Sequence, residues 1–431
     1  MIESWRRVLW VSWVAQILAI VGFSFVYPFL PLYVQHLGVH DEHSVLIWAG
    51  ALYAGTTVTM TIFAPLWGSM ADRYGRKIMV VRAMGSGAGL VLLMIFVRNP
   101  EELLAIRIMQ GALSGSVAAS QALVSSVVPR ERLGFAMGLM QTALFTGNSI
   151  GPLLGGQLDV HVGFQTTFLV AALMLAIATL LVLFLVEEEF VPAAAPRGAP
   201  RRGFWKDARV ILRNRQLALL ILVLCAVQFG GQIVGPILPV FVQNLGGNSK
   251  NAAALAGNVF AIAGICSAIT AVLAGRLMDR RGHFRLILIG ATLGSALLNV
   301  PQAFVTDINQ LYILRGLEGL VLGGMLATSS TMLSLGTPRE WRGAAIGLSA
   351  GANAAGQAIG QISGSTIAGV LGIRSVFLCT AGVLALVCLA VAIWIKEPET
   401  TEDDEDMPLT ISPVGTVGTS AAPSAERVVP G

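Results

Sequence analysis

Three charged residues sit where the surrounding sequence is otherwise apolar. Arg107 and Arg315 lie 208 positions apart, each inside a long apolar run, and Glu318 follows Arg315 by three. Of the 24 acidic residues, Glu318 is the one placed deep in such a run. A charge at membrane depth costs roughly 3 kcal/mol on insertion scales, so each of these side chains needs a partner or a task. Residues three apart on a helix can meet, so Arg315 and Glu318 can pair. Burial favours a neutral acid and a nearby arginine favours the anion. A carboxyl caught between the two can exchange a proton as its surroundings change, or it can stand as a static ion pair. Arg107 has no deep carboxylate in its own half of the chain. Gln16, Gln110 and backbone carbonyls are its possible partners.

A second set of charges repeats. GSMADRYGRK at Gly68–Lys77 returns in imperfect form as GRLMDRRGHF at Gly275–Phe284. In the first copy Asp72 is flanked by Arg73, Arg76 and Lys77, and Gly75 permits a tight turn. A carboxylate there can face the positive N-terminus of a neighbouring helix. The second copy keeps Asp279 and Arg280, while His283 and Phe284 replace the later basic pair. The bland alternative is that these charges only fix the chain's direction across a membrane.

The elements that must position these residues are membrane spans. The chain of 431 residues is 55% hydrophobic and 12% charged, with mean hydropathy +0.74. A soluble domain carries about 25% charged residues. Twelve apolar stretches are long enough to cross roughly 30 Å of hydrocarbon: 8–34, 46–67, 78–97, 101–125, 134–157, 164–186, 217–243, 252–275, 285–304, 309–334, 343–368 and 374–395. Helices are expected, because a span must satisfy its own backbone hydrogen bonds. The first stretch is too long for a cleaved signal peptide. All four cysteines fall inside spans and read as small apolar side chains. No cofactor or metal constellation and no phosphate-binding GxxxxGK[ST] loop is visible, so direct ATP drive is unsupported and an enzyme is not expected.

Self-similarity extends through six spans. YPFLPLYVQHLG (27–38) matches GPILPVFVQNLG (235–246), and Arg107–Gly111 matches Arg315–Gly319, both at an offset of 208. A nearly constant offset means a duplicated six-helix unit, which is a transporter design. The expected domains are a first bundle at 1–186, a linker at 187–216, a second bundle at 217–396 and a disordered tail at 397–431. Residues 204–215 can form a short helix on the membrane surface. Of 28 Lys and Arg, 23 fall in the tails, the linker and the even-numbered connections. That bias places both termini in the cytoplasm. The net charge of +4 is then a topology signal, with no nucleic-acid partner implied.

Two further patterns bear on motion and binding. Gly147, Gly151 and Gly155 are four apart on one face of the fifth span, with Gly156 beside them and Pro152 bending the helix. Small residues at that spacing let helices touch backbone to backbone. The second half keeps Gly356, Gly360 and Gly364, with Gln361 where the proline would be. Pocket candidates are Phe23, Tyr27, Tyr53, Phe145, Gln228, Gln232, Asn258, Asn353 and Gln357, since apolar walls with a few polar groups suit amphipathic ligands.

These residues resemble the major facilitator superfamily over nearly everything but the tail and part of the linker. The Gly68–Lys77 loop has the form G-x-x-x-D-R-x-G-R-K, the superfamily's most specific motif. Arg107-x-x-Gln110-Gly111 resembles its second, and the Gly147–Gly156 stretch with Pro152 resembles the motif of its antiporters. With PFLPLYVQHLG in the first span, the chain is similar to the twelve-helix drug:proton antiporter branch of multidrug efflux transporters. The resemblance implies an all-α membrane protein of two pseudo-symmetric six-helix bundles, working by alternating access in the inner membrane as a monomer. It implies export of lipophilic or cationic compounds against inward proton flow, with a proton-transfer role for Arg107. The Asp72 loop is implied to latch the halves in the outward-facing state, against the start of the eleventh helix near Gly343. By symmetry Asp279 would face the start of the fifth near Gly134. One departure stands out: several drug antiporters carry an acidic residue in the first span, and this chain has none. The alternatives are a proton-coupled exporter of one dedicated solute and a receptor or scaffold that keeps the fold without transport.

Overall fold

A computed structural model describes residues 4–129, 132–188, 209, 211–246, 251–281, 284–335 and 342–395. Some helical side chains also fall outside the description, among them Asp72, Asp279 and Arg280. The tail and most of the linker lie outside it too. Of the surface helix expected at 204–215, Arg209 and residues 211–213 are helical.

No strand occurs among the described residues, and twelve helices cross in turn. The first, α1, runs Ser4–Ser24 and resumes at Leu30–His36 after a short turn at Tyr27–Phe29. Next come α2 (Glu42–Tyr74), α3 (Arg76–Leu93) and α4, which is Pro100–Leu113 and Ser116–Val127. A continuous helical stretch, Leu133–Leu185, turns back on itself at Gly163 and so makes α5 and α6. Its φ of 79° there is a conformation that glycine adopts without strain. The second half gives α7 (Arg215–Gln232, then Leu238–Gly246), α8 (Ala252–Arg281), α9 (Phe284–Gln302), α10 (Ile308–Leu335), α11 (Arg342–Leu371) and α12 (Ile373–Trp394). Nine stretches among the described residues are long and apolar enough to span a bilayer. One of them is the folded α5–α6 stretch, and α10 and α11 complete the twelve.

Local sequence sets the helix starts. Asp41 caps α2 by accepting from the Ser44 N–H at 2.9 Å and its hydroxyl at 2.8 Å. Asn99 caps α4 from the Glu102 N–H at 2.8 Å, with Pro100 at the first position.

An even number of crossings returns the chain to its starting face, here called the terminal face because Ser4 and Trp394 lie on it. The opposite face is the far face. Within the first bundle α1 packs on α5 and α3 on α6; within the second, α7 packs on α11, α8 on α10 and α9 on α12. The two bundles meet along two seams, α5 against α8 and α2 against α11.

The seams are not evenly closed. At the far face, the Gln35 and Gln243 amides each donate to the other's oxygen, at 3.0 and 3.1 Å. Asn244 Nδ2 donates to Glu42 at 3.2 Å close by. Toward the terminal face, Gly68 of α2 and Gly134 and Gly138 of α5 have no described neighbour within 4 Å. Ile62 and Phe135 are 66% and 60% exposed there. Among the described residues, hydrogen bonds thus join the two halves at the far face, while α2 and α5 are exposed toward the terminal face.

Candidate functional site

Glu318 is 3% exposed and fully engaged. One carboxylate oxygen accepts from Asn299 Nδ2 at 2.9 Å, the other from Gln302 Nε2 at 3.0 Å and Arg315 NH1 at 2.9 Å. The guanidinium of Arg315 lies over the ring of Phe377, 5.5 Å from its centre. Three N–H donors converging on two oxygens is the arrangement of an ionised carboxylate. The amide donors stand on α9 and Arg315 on α10 itself, so Glu318 points toward α9, inside the second bundle and away from the seams. The expected Arg315–Glu318 pair is present, in company the sequence reading did not anticipate.

Arg107 is also 3% exposed, and NH1 donates to Gln110 Oε1 at 2.8 Å. Of the partners considered for it, Gln110 is the one engaged. Gln16 is buried with neither end of its amide bonded among the described residues. The Arg107 Nε finds no acceptor there either. The Thr56 hydroxyl donates to the Arg107 carbonyl at 3.1 Å. Three residues before Thr56 on the same helix, the Tyr53 ring stacks tilted on that of Tyr27 with centres 5.2 Å apart, and its hydroxyl donates to the Tyr27 carbonyl. Gly111 brings α4 against α2, since a methyl group there would overlap the Thr56 carbonyl.

The fifth helix is bare on two sides. Gly147, Gly151 and Gly155 lie against Ile20, Ser24 and the Phe25 carbonyl of α1. Pro152 and Gly156 face the other way, where Gly257 meets the Pro152 carbonyl and Gly156 meets the Ala253 carbonyl of α8. The glycine stripe thus packs inside its bundle, while its neighbours make the seam. The second half repeats the first contact: Gly356, Gly360 and Gly364 lie on backbone carbonyls of α7 at Cys225, Phe229 and Ile233. At its seam, Thr57 donates to Gln361 Oε1 at 3.1 Å and Gly50 lies against Ser365.

In the repeated loop, Gly75 turns the chain at φ 101°. Arg76 donates to the Ala122 carbonyl of α4 at 3.0 Å, and Arg73 stands 5.3 Å from the centre of the Tyr74 ring. The carboxylate of Glu188, just past α6, accepts from the Arg76 and Lys77 backbone N–H groups at 3.0 and 2.8 Å. It caps α3 at its positive end. Gly68 is exposed toward the terminal face. The side chains of Asp72, Asp279 and Arg280 lie outside the described residues, and no latch contact is described.

The pocket candidates scatter. Tyr27 and Tyr53 stack on each other. Phe23 packs on Gly87 of α3, inside the first bundle. Asn258 accepts from Gln157 at 3.1 Å across the α5–α8 seam and donates to Tyr312 at 3.4 Å. Gln228 lies beside Gly356, and Gln232 beside Gly235. Phe145, Asn353 and Gln357 are half-buried, and the Asn353 Oδ1 has no partner among the described residues.

Comparison with known proteins settles the family. The family model described as Major Facilitator Superfamily matches residues 12–298 and 220–415. The chain belongs to the Major Facilitator Superfamily. It is 33% identical to the multidrug resistance protein MdtG of Klebsiella pneumoniae (strain 342) over 404 residues, covering 94% of this chain and 97% of that protein. The MdtG of Salmonella newport (strain SL254) is 34% identical over 382 residues, 88% of this chain and 93% of that one. Among solved structures, the nucleoside transporter NupG superposes with a TM-score of 0.70 at 14% identity, over 89% of this chain and 98% of its own. A bacterial homologue of the human lysosomal transporter Spinster, in an inward-facing and unoccupied conformation, gives 0.69 at 14% identity, over 90% and 96%. These likenesses speak for the fold. The chain is a multi-pass membrane transporter of the superfamily.

Several partners in this major facilitator fold escaped the sequence reading although a signal was present. Ser295, Asn299 and Gln302 fall on one face of α9, and Asn299 and Gln302 on that face form the Glu318 cage. Gln35 and Gln243 occupy the same column of the internal repeat. Arg82 was counted with the loop charges. It lies inside α3, 3.5 Å from the centre of the Trp67 ring, and donates to the Leu113 and Ser114 carbonyls where α4 breaks.

Proposed function

We propose that the protein exports lipophilic drugs from the cytoplasm, driven by protons moving inward, with its halves alternating between two openings. The names of its MdtG relatives support drug export, and the distribution of Lys and Arg supports a cytoplasmic terminal face at the inner membrane. In that orientation the arrangement supports an inward-open state. The observation that carries the reading is the unequal closure: the far face is bonded across the seam, while α2 and α5 are exposed toward the terminal face. A single transporter site opened to one side at a time requires such an arrangement.

We place the proton on Glu318. It is the one acidic side chain at membrane depth among the described residues, and its three donors suit the anion. An exporter that binds drug from the inside has then already released its proton. Because Glu318 faces α9 rather than the seams, proton and drug occupy separate places and communicate through movement of α10. Arg315 holds the carboxylate. The Asp72 loop and its Asp279 copy latch the terminal face in the opposite state, and the linker near 187–216 ties bundles 1–186 and 217–396.

The test is ethidium efflux from cells expressing wild type or Glu318→Gln at matched levels, with and without a protonophore. Protonophore-sensitive efflux that is lost in the variant is expected. Efflux from Glu318→Gln with undiminished protonophore sensitivity removes Glu318 from coupling. No efflux from well-expressed wild type removes drug export.

A further inference from the structure

The first bundle holds a cavity toward the terminal face that the transport reading does not use. It measures about 370 Å³ and lies between α2, α3 and α4 at its break. Among the described residues its polar lining is the two arginines Arg76 and Arg82 with Ser114, while Trp67 of α2 and Ala118 and Ala122 of α4 give it apolar walls. Arg76 opens α3 at the terminal face, and Arg82 follows six residues on, about 9 Å along the helix. Backbone oxygens hold both side chains. Arg76 donates to the Ala122 carbonyl at 3.0 Å, and Arg82 to the Leu113 and Ser114 carbonyls at 2.9 and 3.3 Å. Arg82 also lies over the ring of Trp67, whose indole N–H donates to the Ala112 carbonyl at 2.6 Å. Its Nε is buried with no partner among the described residues. Glu188 gives both carboxylate oxygens to the Arg76 and Lys77 backbone N–H groups. Carbonyl dipoles fix a guanidinium in place without cancelling its charge, so the cavity presents two positive charges on an apolar wall.

We propose that this cavity binds the phosphate of an anionic phospholipid from the leaflet at the terminal face. The lipid is a resident partner and not cargo, so the proposal stands apart from the export reading. Basic pockets between spans at headgroup depth take such groups. Guanidinium N–H groups match phosphate oxygens in pairs, and the carbonyl contacts hold these two ready for one. Trp67 has the mixed character of tryptophans at a membrane interface. The small side chains Ala118 and Ala122 leave room beside the arginines for the start of an acyl chain. Gly115, at φ 114°, interrupts α4 within the cavity wall. A lipid seated there braces the second part of α4 against α2 and α3 across that interruption.

The experiment is a competition titration on the purified full-length protein in detergent. Phosphatidylglycerol with a fluorescent acyl chain is the probe, and unlabelled phosphatidylglycerol, phosphatidylcholine and inorganic phosphate are the competitors. On wild type, phosphatidylglycerol is expected to displace the probe at least about tenfold more effectively than phosphatidylcholine, the scale of a charge-assisted hydrogen bond. Arg82→Gln brings that ratio near one. Because Arg82 also grips the break in α4, Ala118→Phe is the second variant: it fills the cavity, leaves both arginines in place and also brings the ratio near one. Arg98→Gln, an exposed arginine at the far face, keeps the wild-type ratio. A wild-type ratio near one, a ratio unchanged in both cavity variants, or an equal loss in Arg98→Gln overturns the proposal. Displacement by inorganic phosphate at concentrations as low as those of phosphatidylglycerol overturns the lipid and leaves a site for a soluble anion.

Discussion

The same three-residue step begins at Arg107 and at Arg315, and only the second ends in an acid. In α4 the arginine reaches the amide of Gln110 at 2.8 Å; in α10 it reaches the carboxylate of Glu318 at 2.9 Å. The helices, the spacing and the burial are alike. Their surroundings are not. Asn299 and Gln302 of α9 turn N–H groups on Glu318, whereas the matching stretch of α3, Val91 to Ile95, is apolar throughout. One half holds a charge and neutralises it, and the other leaves a charge over. The two copies of one position thus differ in charge balance, with the change confined to a carboxylate and the amides that bond it.

The comparison can be broken most severely at Glu318. Glu318→Leu strands Arg315 in a buried place and is expected to cost about 3–5 kcal/mol, read by thermal unfolding in detergent. Arg315→Met combined with Glu318→Leu should recover most of that loss. A single variant no less stable than the double would mean that the pair does not hold α10. A finer cut is Asn299→Ala, which removes one donor from the carboxylate and should cost about 1–3 kcal/mol. Met94→Leu, at the first-half counterpart of Gln302, alters packing alone and should cost less, under about 1.5 kcal/mol. Equal losses would erase the distinction between the two cages.

The smallest expected effect concerns a place where the halves behave alike. Gln35→Ala removes two neutral hydrogen bonds worth about 0.5–1.5 kcal/mol each from the far face. Spin labels placed across the far face should report more of the open form, and Gln243→Ala should match it. A shift in one variant alone would show that the two glutamines are not equivalent.

Much of this was legible beforehand, and for identifiable reasons. Span positions follow from hydropathy, and the bundle plan follows from a constant offset, because neither depends on which side chains meet. The Arg315–Glu318 pair was readable from helix geometry alone. What stayed hidden was choice among neighbours. Gln16 and Gln110 were both in reach of Arg107 on paper, and Gln110 is engaged because it rides the same helix three residues on. Phe23 was grouped with the pocket, but helix rotation sends its ring to Gly87. The glycines of α5 announced close contact without saying with what. The answer, α1 for three of them and α8 for Gly156, depends on packing two bundles that sequence periodicity treats separately.

The reciprocal amide contact between Gln35 and Gln243 has an implication for symmetry. A residue that bonds to its own counterpart, donor to acceptor in both directions, is what a two-fold axis produces when two identical subunits meet. The far-face closure therefore has the form of an isologous dimer contact held within one chain. A single chain can vary the two sides separately, and Gln243 sits beside Asn244 where Gln35 sits beside His36.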